Sequence, residues 1–500
     1  MQSLRSFSLP RIIVAGLAGG SGKTLVTVGI IQALRRQGLR VAPFKKGPDY
    51  IDPAWLGAAA GRQAKTLDSF LMSEDAILAS LTDAGDADIA VVEGNRGLFD
   101  GVDASGTHST AALATRLRAP LLLVIDVSKS TRTVAALVLG CLAMEPGLHL
   151  AGVILNRVGN KRQERVIRDA ITLVTSVPVL GALPRLPVDP LPSRHLGLVM
   201  PGERQDRADV VDTLAEVVEL GLDVAAIRRL AEGAPDLPRH TVYRPQRPLS
   251  KELVTIGVLR DHAFSFYYPE NLAALEAQGA RLVPVSPLSD TRLPDIDALY
   301  AGGGYPEEHA AELAHNGRFR ADLATRIAAG LPVWAECGGL MYLASEIVHQ
   351  GVRYPMVGAL PLAIEQTGRP QAHGYVEAIV DNGNPFLSRG TKLRGHEFHY
   401  SHVIDGGGSV ATALSLRIGT GIGGGRDGVI VGNVFASYLH LFAPGAPEWA
   451  PALVRVAREA RITKKTTQAP IGDNRGIHDS SRRADRSRRG RFHPGACQVE

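Results

Sequence analysis

The chain has 500 residues, of which 45% are hydrophobic and 21% charged, with a net charge of +5 and three cysteines. That balance excludes a disordered or fibrous chain, and at roughly 100–200 residues per domain the length predicts two to four domains. Cysteines as far apart as Cys141, Cys337 and Cys497 exclude a disulfide framework and point to a reducing, cytoplasmic setting. No apolar run reaches the ~18–20 residues of a membrane span, and the short stretch Ile12–Ala15 runs into a glycine loop rather than forming a signal peptide. Residues 461–500 hold ten Lys/Arg against four Asp/Glu, so the +5 becomes about −1 for the rest. The basic character belongs to the tail, and neither nucleic acid nor membrane is expected as a partner.

In chain order, Arg11–Ala15, Arg40–Phe44, Ile89–Glu93, Leu121–Asp126 and Ala151–Asn156 read as buried strands, with Lys23–Gln37 and Ser109–Leu117 as helices between them. Continuous apolar strands alternating with helices predict a parallel sheet covered on both faces. A stretch with Pro235, Pro238, Pro245 and Pro248 reads as a linker. A second alternating block then offers strands at Thr255–Leu259, Arg281–Pro284, Ala298–Tyr300, Val333–Ala335 and Val429–Phe435. Its helices are expected at Asn271–Gln278, Arg318–Ala329 and Leu340–Ile347. The fold class expected is therefore α/β, with two doubly wound domains: a nucleotide-binding domain over 9–232, a linker over 233–252, a second domain over 253–460, and a disordered basic tail over 461–500.

The strongest signal in the first half is Gly16-Leu17-Ala18-Gly19-Gly20-Ser21-Gly22-Lys23-Thr24, an apolar strand feeding a glycine-rich turn that opens a helix. Gly16, Gly20, Ser21 and Gly22 let backbone N–H groups converge on phosphate oxygens at a helix N-terminus. Lys23 would reach the β/γ-phosphates of ATP, and the Thr24 hydroxyl would sit on Mg²⁺. Asp49 and Asp52 follow the second strand, and Glu93 and Asp100 the third. In an open parallel sheet these loops share an edge with the phosphate loop, where carboxylates suit a hard cation. A single such Asp is usually a turn or helix cap.

Gly47-Pro48-Asp49-Tyr50-Ile51-Asp52-Pro53 and Glu93-Gly94-Asn95-Arg96-Gly97-Leu98-Phe99-Asp100-Gly101 resemble the signatures of the cobyrinate a,c-diamide synthase family. The first domain is also similar to dethiobiotin synthetase, which shares the longer phosphate loop. The resemblance implies that Thr24, Asp49 and Glu93 bind Mg²⁺ and that Asp100 acts beside the carboxylate being amidated. Asp52 is a further candidate for contacting substrate. Ser193–Leu198 resembles the family segment closing the first domain, so that Arg194 or His195 would face substrate; a structural turn is the other reading.

In the second half, Val333-Trp334-Ala335-Glu336-Cys337-Gly338-Gly339 places a cysteine between a buried strand and a helix, a nucleophile-elbow arrangement. The turn is expected to expose the sulfur, and the helix N-terminus to lower its pKa and hold an oxyanion. Buried core is the commoner fate of a free cysteine; it fits Cys141 well and Cys337 poorly. The base is expected to be His440, at the end of the Val429–Phe435 strand. The pair resembles a class I glutamine amidotransferase domain, in which Gly303, Gly304 and Gly338 would form the oxyanion loop. Many members of that class carry Glu two residues after the histidine. Here Phe442 stands there, which implies a Cys–His dyad, with the role of Glu397 or His399 left open.

Joined, the two sites imply an ATP- and glutamine-dependent ligase that converts a substrate carboxylate to an acyl phosphate and displaces phosphate with ammonia. The resemblance points to the a and c acetates of a cobyrinate-like tetrapyrrole, or of a sirohaem-type one as the alternative. Less expected readings are a partition-type ATPase and a tetrapyrrole-binding protein with an inactive glutaminase half. A channel or closed interface is expected between the sites. Sequence does not fix the oligomeric state, and a homodimer stays open.

Overall fold

The computed structural model describes residues 6–191, 193–194, 197–238 and 253–468. Described residues up to Arg461 belong to one compact unit that contains two large sheets. The first has seven strands, all parallel, in the order Lys65–Leu67, Val41–Lys46, Ile89–Glu93, Arg11–Gly16, Leu121–Asp126, Leu150–Val158 and Val179–Pro184. Its central strand shows why the residues are uniformly apolar. Ile13 and Ala15 enter the core on one face, and Ile12 and Val14 the core on the other. Helices cover both faces. Lys23–Arg36 closes with two arginines in its last turn, and Thr110–Arg116 is capped by the Ser109 side chain accepting from the Ala112 N–H.

The second sheet has ten strands. Ala280–Val285, Val254–Leu259, Ala298–Ala301, Val333–Glu336 and Val434–Ser437 run parallel. An antiparallel extension follows through Arg426–Val431, Ala411–Ile418, Ala372–Val380, Lys392–His399 and the short His440–Leu441. The sequence pattern missed this extension, because its strands carry exposed polar positions instead of a continuous apolar run. Two expectations need correction. Val429–Phe435 is not one strand but a hairpin, since Gly432 adopts a φ of 55° and reverses the chain before Asn433. The helix expected over Leu340–Ile347 stops at Leu343, and Glu346–His349 joins a separate four-stranded sheet.

The last helix, Trp449–Gln468, runs past the boundary expected for the tail. Most of the expected linker (239–252) and the rest of the tail (469–500) lie outside the described residues. Among the described residues, no helix is long and apolar enough to cross a membrane.

Candidate active site

Sheet topology brings the motifs together. The phosphate loop, the loop opening the Ile51–Ala60 helix and the loop after Glu93 leave the carboxyl ends of three adjacent parallel strands. Lys45, the penultimate residue of its strand, is buried in the middle of the carboxylates. Its Nζ lies 2.7 Å from Asp52 Oδ2, 2.9 Å from Glu93 Oε1 and 3.9 Å from Asp49 Oδ2. The Thr24 hydroxyl donates to Glu93 Oε1 at 2.8 Å. Burial, then the neighbouring Asp52, hold the Asp49 carboxyl well above the ordinary carboxylate range. Burial likewise pushes Glu93 up. It also opposes the charge on Asp52, but there the Lys45 ammonium outweighs it and keeps the carboxyl low. Lys23 Nζ donates to the Ala18 carbonyl of its own loop at 3.0 Å, and burial followed by Lys45 lowers its pKa. Asp100, at the exposed end of its loop, accepts from the Gly97 N–H at 2.9 Å.

In the second half, Cys337 follows the strand Val333–Glu336, and His440 lies just beyond the adjacent parallel strand Val434–Ser437. Neighbouring strand ends thus bring together residues a hundred positions apart. Cys337 has φ 46° and ψ −98°, the strained turn expected of an elbow. The sulfur is less accessible than expected: Cys337 is only 6% exposed. Its thiol is pushed up and not down, by burial first and then by Glu307, which together outweigh the Gly338 N–H. A thiol in that state depends on its base for ionisation. His440 stacks on His396 (centroids 4.8 Å apart, 16° between planes), and burial followed by His440 holds His396 far below the ordinary histidine range, hence neutral. The Gly303 segment, expected to form the oxyanion loop, passes so close to His440 that a Cβ on Gly303 would lie 2.5 Å from its Cε1.

Glu397 is engaged elsewhere. It accepts from the Thr420 and Gly421 N–H groups at 2.6 and 2.9 Å and lies 3.6 Å from His399, whose Nδ1 meets the Ser401 carbonyl at 2.7 Å.

One cavity of about 580 Å³ reaches both ends, lined by Asp49, Asp52 and Asp100 on one side and by Gly304, Cys337 and His440 on the other. Of the remaining expected residues, Arg194 belongs to the two-residue strand Ser193–Arg194, which pairs with Gly197–Leu198, and Leu198 lines the cavity. His195 lies outside the described residues.

Three residues in the cavity went unassigned in the sequence. Tyr50, carried by the first half, stacks on Phe266 at 5.0 Å and 4° and lies 5.5 Å from His440. Its hydroxyl is buried beside that of Tyr268. Lys46 reaches the hydroxyl of Tyr375, from the second half, at 2.9 Å, and that hydroxyl donates to Asp68 Oδ2 at 2.5 Å. The signal for both lysines was present: consecutive lysines ending an apolar strand must each find a buried counter-charge.

A parallel-sheet phosphate loop, and an elbow cysteine and a histidine that share one cavity with the acidic loops beside that phosphate loop, define a glutamine-dependent ligase built from a nucleotide-binding half and an amidotransferase half. Residues 12–199 match the CobQ/CobB/MinD/ParA nucleotide binding domain, and 255–447 the CobB/CobQ-like glutamine amidotransferase domain. The cobyrinate a,c-diamide synthase of Magnetococcus marinus is 42% identical over 460 residues, covering 91% of this chain and 98% of that protein. Those of Archaeoglobus fulgidus (41% over 443 residues; 88% and 95% coverage) and Syntrophotalea carbinolica (43% over 459; 90% and 99%) match comparably. The chain belongs to the cobyrinate a,c-diamide synthase family.

Proposed function

We propose that this chain amidates the a and c acetate carboxylates of cobyrinate or hydrogenobyrinate, using ATP and taking nitrogen from glutamine. The observation that carries this reading is the shared cavity, which both Cys337 and Asp100 line. His440 takes the Cys337 proton. The thiolate attacks the glutamine γ-carbonyl carbon, the C–N bond breaks with the proton returned to nitrogen, and ammonia leaves a thioester that water hydrolyses to glutamate. Backbone N–H groups of the Gly303–Gly304 loop and of Gly338 face the developing oxyanion. In the other half, Lys23 and the phosphate loop hold ATP while a substrate carboxylate oxygen attacks the γ-phosphorus and ADP leaves. Ammonia then attacks the acyl phosphate, phosphate departs, and an amide remains; a second round amidates the other acetate.

The residues beside the phosphate loop fit Mg²⁺: they offer hard oxygen donors, and Glu93 Oε2 is buried with no hydrogen-bond partner. Thr24, Asp49 and Glu93 would hold the ion, which would neutralise charge on the transferring phosphoryl group. Asp52 and Asp100 would face the acetate, with Arg194 and His195 as further substrate contacts. We assign 9–232 to the ligase half, 253–460 to the glutaminase half, and the action of the enzyme to the cytoplasm.

The test is to incubate the enzyme with ATP, glutamine and either cobyrinate, hydrogenobyrinate or a sirohydrochlorin-type ring, and to weigh the products. A doubly amidated corrinoid is expected, and amidation of the sirohydrochlorin-type ring alone would refute the substrate assignment. Cys337→Ala should abolish glutamine-dependent amidation yet keep activity with ammonium salts. Asp100→Asn should block amide formation and spare glutamine hydrolysis.

A further inference from the structure

The imidazole of His440 is buried, and its Nδ1 has no hydrogen-bond partner. Buried ring nitrogens are almost always paired, and a catalytic histidine needs one nitrogen fixed so that the other presents the right tautomer. The residue two places on, Phe442, cannot serve; its ring packs edge-on against Tyr268 at 4.8 Å. The group facing Nδ1 is Glu336, whose Oε2 lies 3.8 Å away. Glu336 is the last residue of the strand before the elbow, and the strand's alternation turns it, with Trp334, away from the face that Ala335 occupies. The Trp334 Nε1–H donates to its Oε1 at 3.0 Å, and the Tyr300 hydroxyl donates to its Oε2 at 3.3 Å. Two neutral donors thus fix a buried carboxylate with one oxygen aimed at the imidazole.

We propose that Glu336 is the positioning residue of the glutaminase site, so that thiol chemistry runs on Cys337, His440 and Glu336 together. This rests on the reading of Cys337 and His440 as the glutaminase pair. The separation exceeds a hydrogen bond, and a small carboxylate rotation as glutamine settles closes it. With Nδ1–H directed at Glu336, Nε2 is left to take the Cys337 proton, and the carboxylate favours the imidazolium that results. The remaining groups around the pair do not replace it. Tyr50 and His396 face the imidazole with rings, and Glu307 and Asp427 oppose the Cys337 thiolate; Glu336 opposes it too, but its Oε2 is the carboxylate oxygen that faces the imidazole Nδ1.

The test uses the full chain and Glu336→Gln, which keeps the shape and one oxygen acceptor. Glutamine hydrolysis is expected to fall in kcat by ~10²–10³-fold, within the range for misplacing a general base, with KM for glutamine little changed and ammonium-dependent amidation intact. The pH window for Cys337 alkylation by iodoacetamide should contract from both sides, since thiolate and imidazolium coexist over a narrower range. Trp334→Phe and Tyr300→Phe, which loosen the carboxylate without removing it, should have smaller effects. An unchanged kcat and pH window in Glu336→Gln would overturn the assignment. If ammonium-dependent activity is lost as well, the variant has not folded and Glu336→Asp takes its place; a kcat loss above ~10-fold at constant KM supports the proposal, and wild-type kcat overturns it. Persistent glutamine hydrolysis by Cys337→Ala would instead refute the underlying glutaminase reading.

Discussion

The two ends of the cavity handle buried polarity in opposite ways. At the phosphate end, Asp49, Asp52 and Glu93 surround the Lys45 ammonium; burial pushes Asp49 and Glu93 up, while Lys45 keeps Asp52 low, so a buried ion pair persists between Lys45 and Asp52. At the thiol end, Cys337 and His396 are driven toward their neutral forms by burial, and the rings of Tyr50 and His396 lie against His440. The first arrangement suits a site that must receive a polyanion and a cation. The second keeps its thiol neutral and shields it from water. The comparison predicts that one end is sensitive to losing a charge and the other to keeping one.

The largest effect is expected at the phosphate end. Lys45→Met leaves three carboxyl groups buried without their cation, and breaking such a set costs about 3–5 kcal/mol. Denaturant unfolding should show that loss, and amidation should fail even with ammonium salts. Stability near wild type would mean that the cluster is not held together by Lys45, and the contrast would collapse.

At the thiol end the sign reverses. Burial raises the Glu307 carboxyl from its ordinary 4.5 to about 7. A carboxyl whose folded-state pKa is raised binds its proton more tightly when folded. Its contribution is therefore intact below pH 4.5 and lost as pH rises through 7. Glu307→Gln should remove that loss, improving stability at pH 8 relative to pH 5 by roughly 2–4 kcal/mol. Because Glu307 also opposes the Cys337 thiolate, the variant should alkylate faster at pH 8. Equal pH dependence in both proteins would show that Glu307 is solvated.

Legibility differed between the ends for a physical reason. Phosphate binding is local: one strand, one loop and one helix suffice, so Gly16 to Thr24 carry the whole signal in sequence. The strands Arg11–Gly16, Ile89–Glu93 and Leu121–Asp126 were equally readable, being apolar on both faces. The Cys337–His440 pairing depends on which strands lie side by side, and the candidates could be named but not their surroundings. Hence the sulfur was expected to be exposed with a lowered pKa, whereas long-range packing buries it. Which carboxylates answer Lys45, Glu336 beside His440 and Tyr50 at the second site were invisible for the same reason: each acts through residues tens to hundreds of positions away.

Tyr50 offers the finest test, because it belongs by sequence to one end and by contact to the other. Its neighbours Asp49 and Asp52 lie beside Lys45, while its ring covers Phe266 and approaches His440. Tyr50 lines the same cavity as Cys337, Asp52 and Asp100, and under the proposed function ammonia released at Cys337 would pass its ring. Tyr50→Ala should widen that passage to water and lower the amide formed per glutamine consumed by about 10-fold, an effect of ~1.4 kcal/mol on the partition between transfer and escape. Glutamine hydrolysis itself should persist. Tyr50→Phe is the control: it removes only the hydroxyl beside Tyr268, leaves the ring and its stacking in place, and should preserve the wild-type ratio. If Ala and Phe variants both keep the ratio, ammonia does not pass this ring. If both lose it, the hydroxyl beside Tyr268, and not the ring alone, controls the passage.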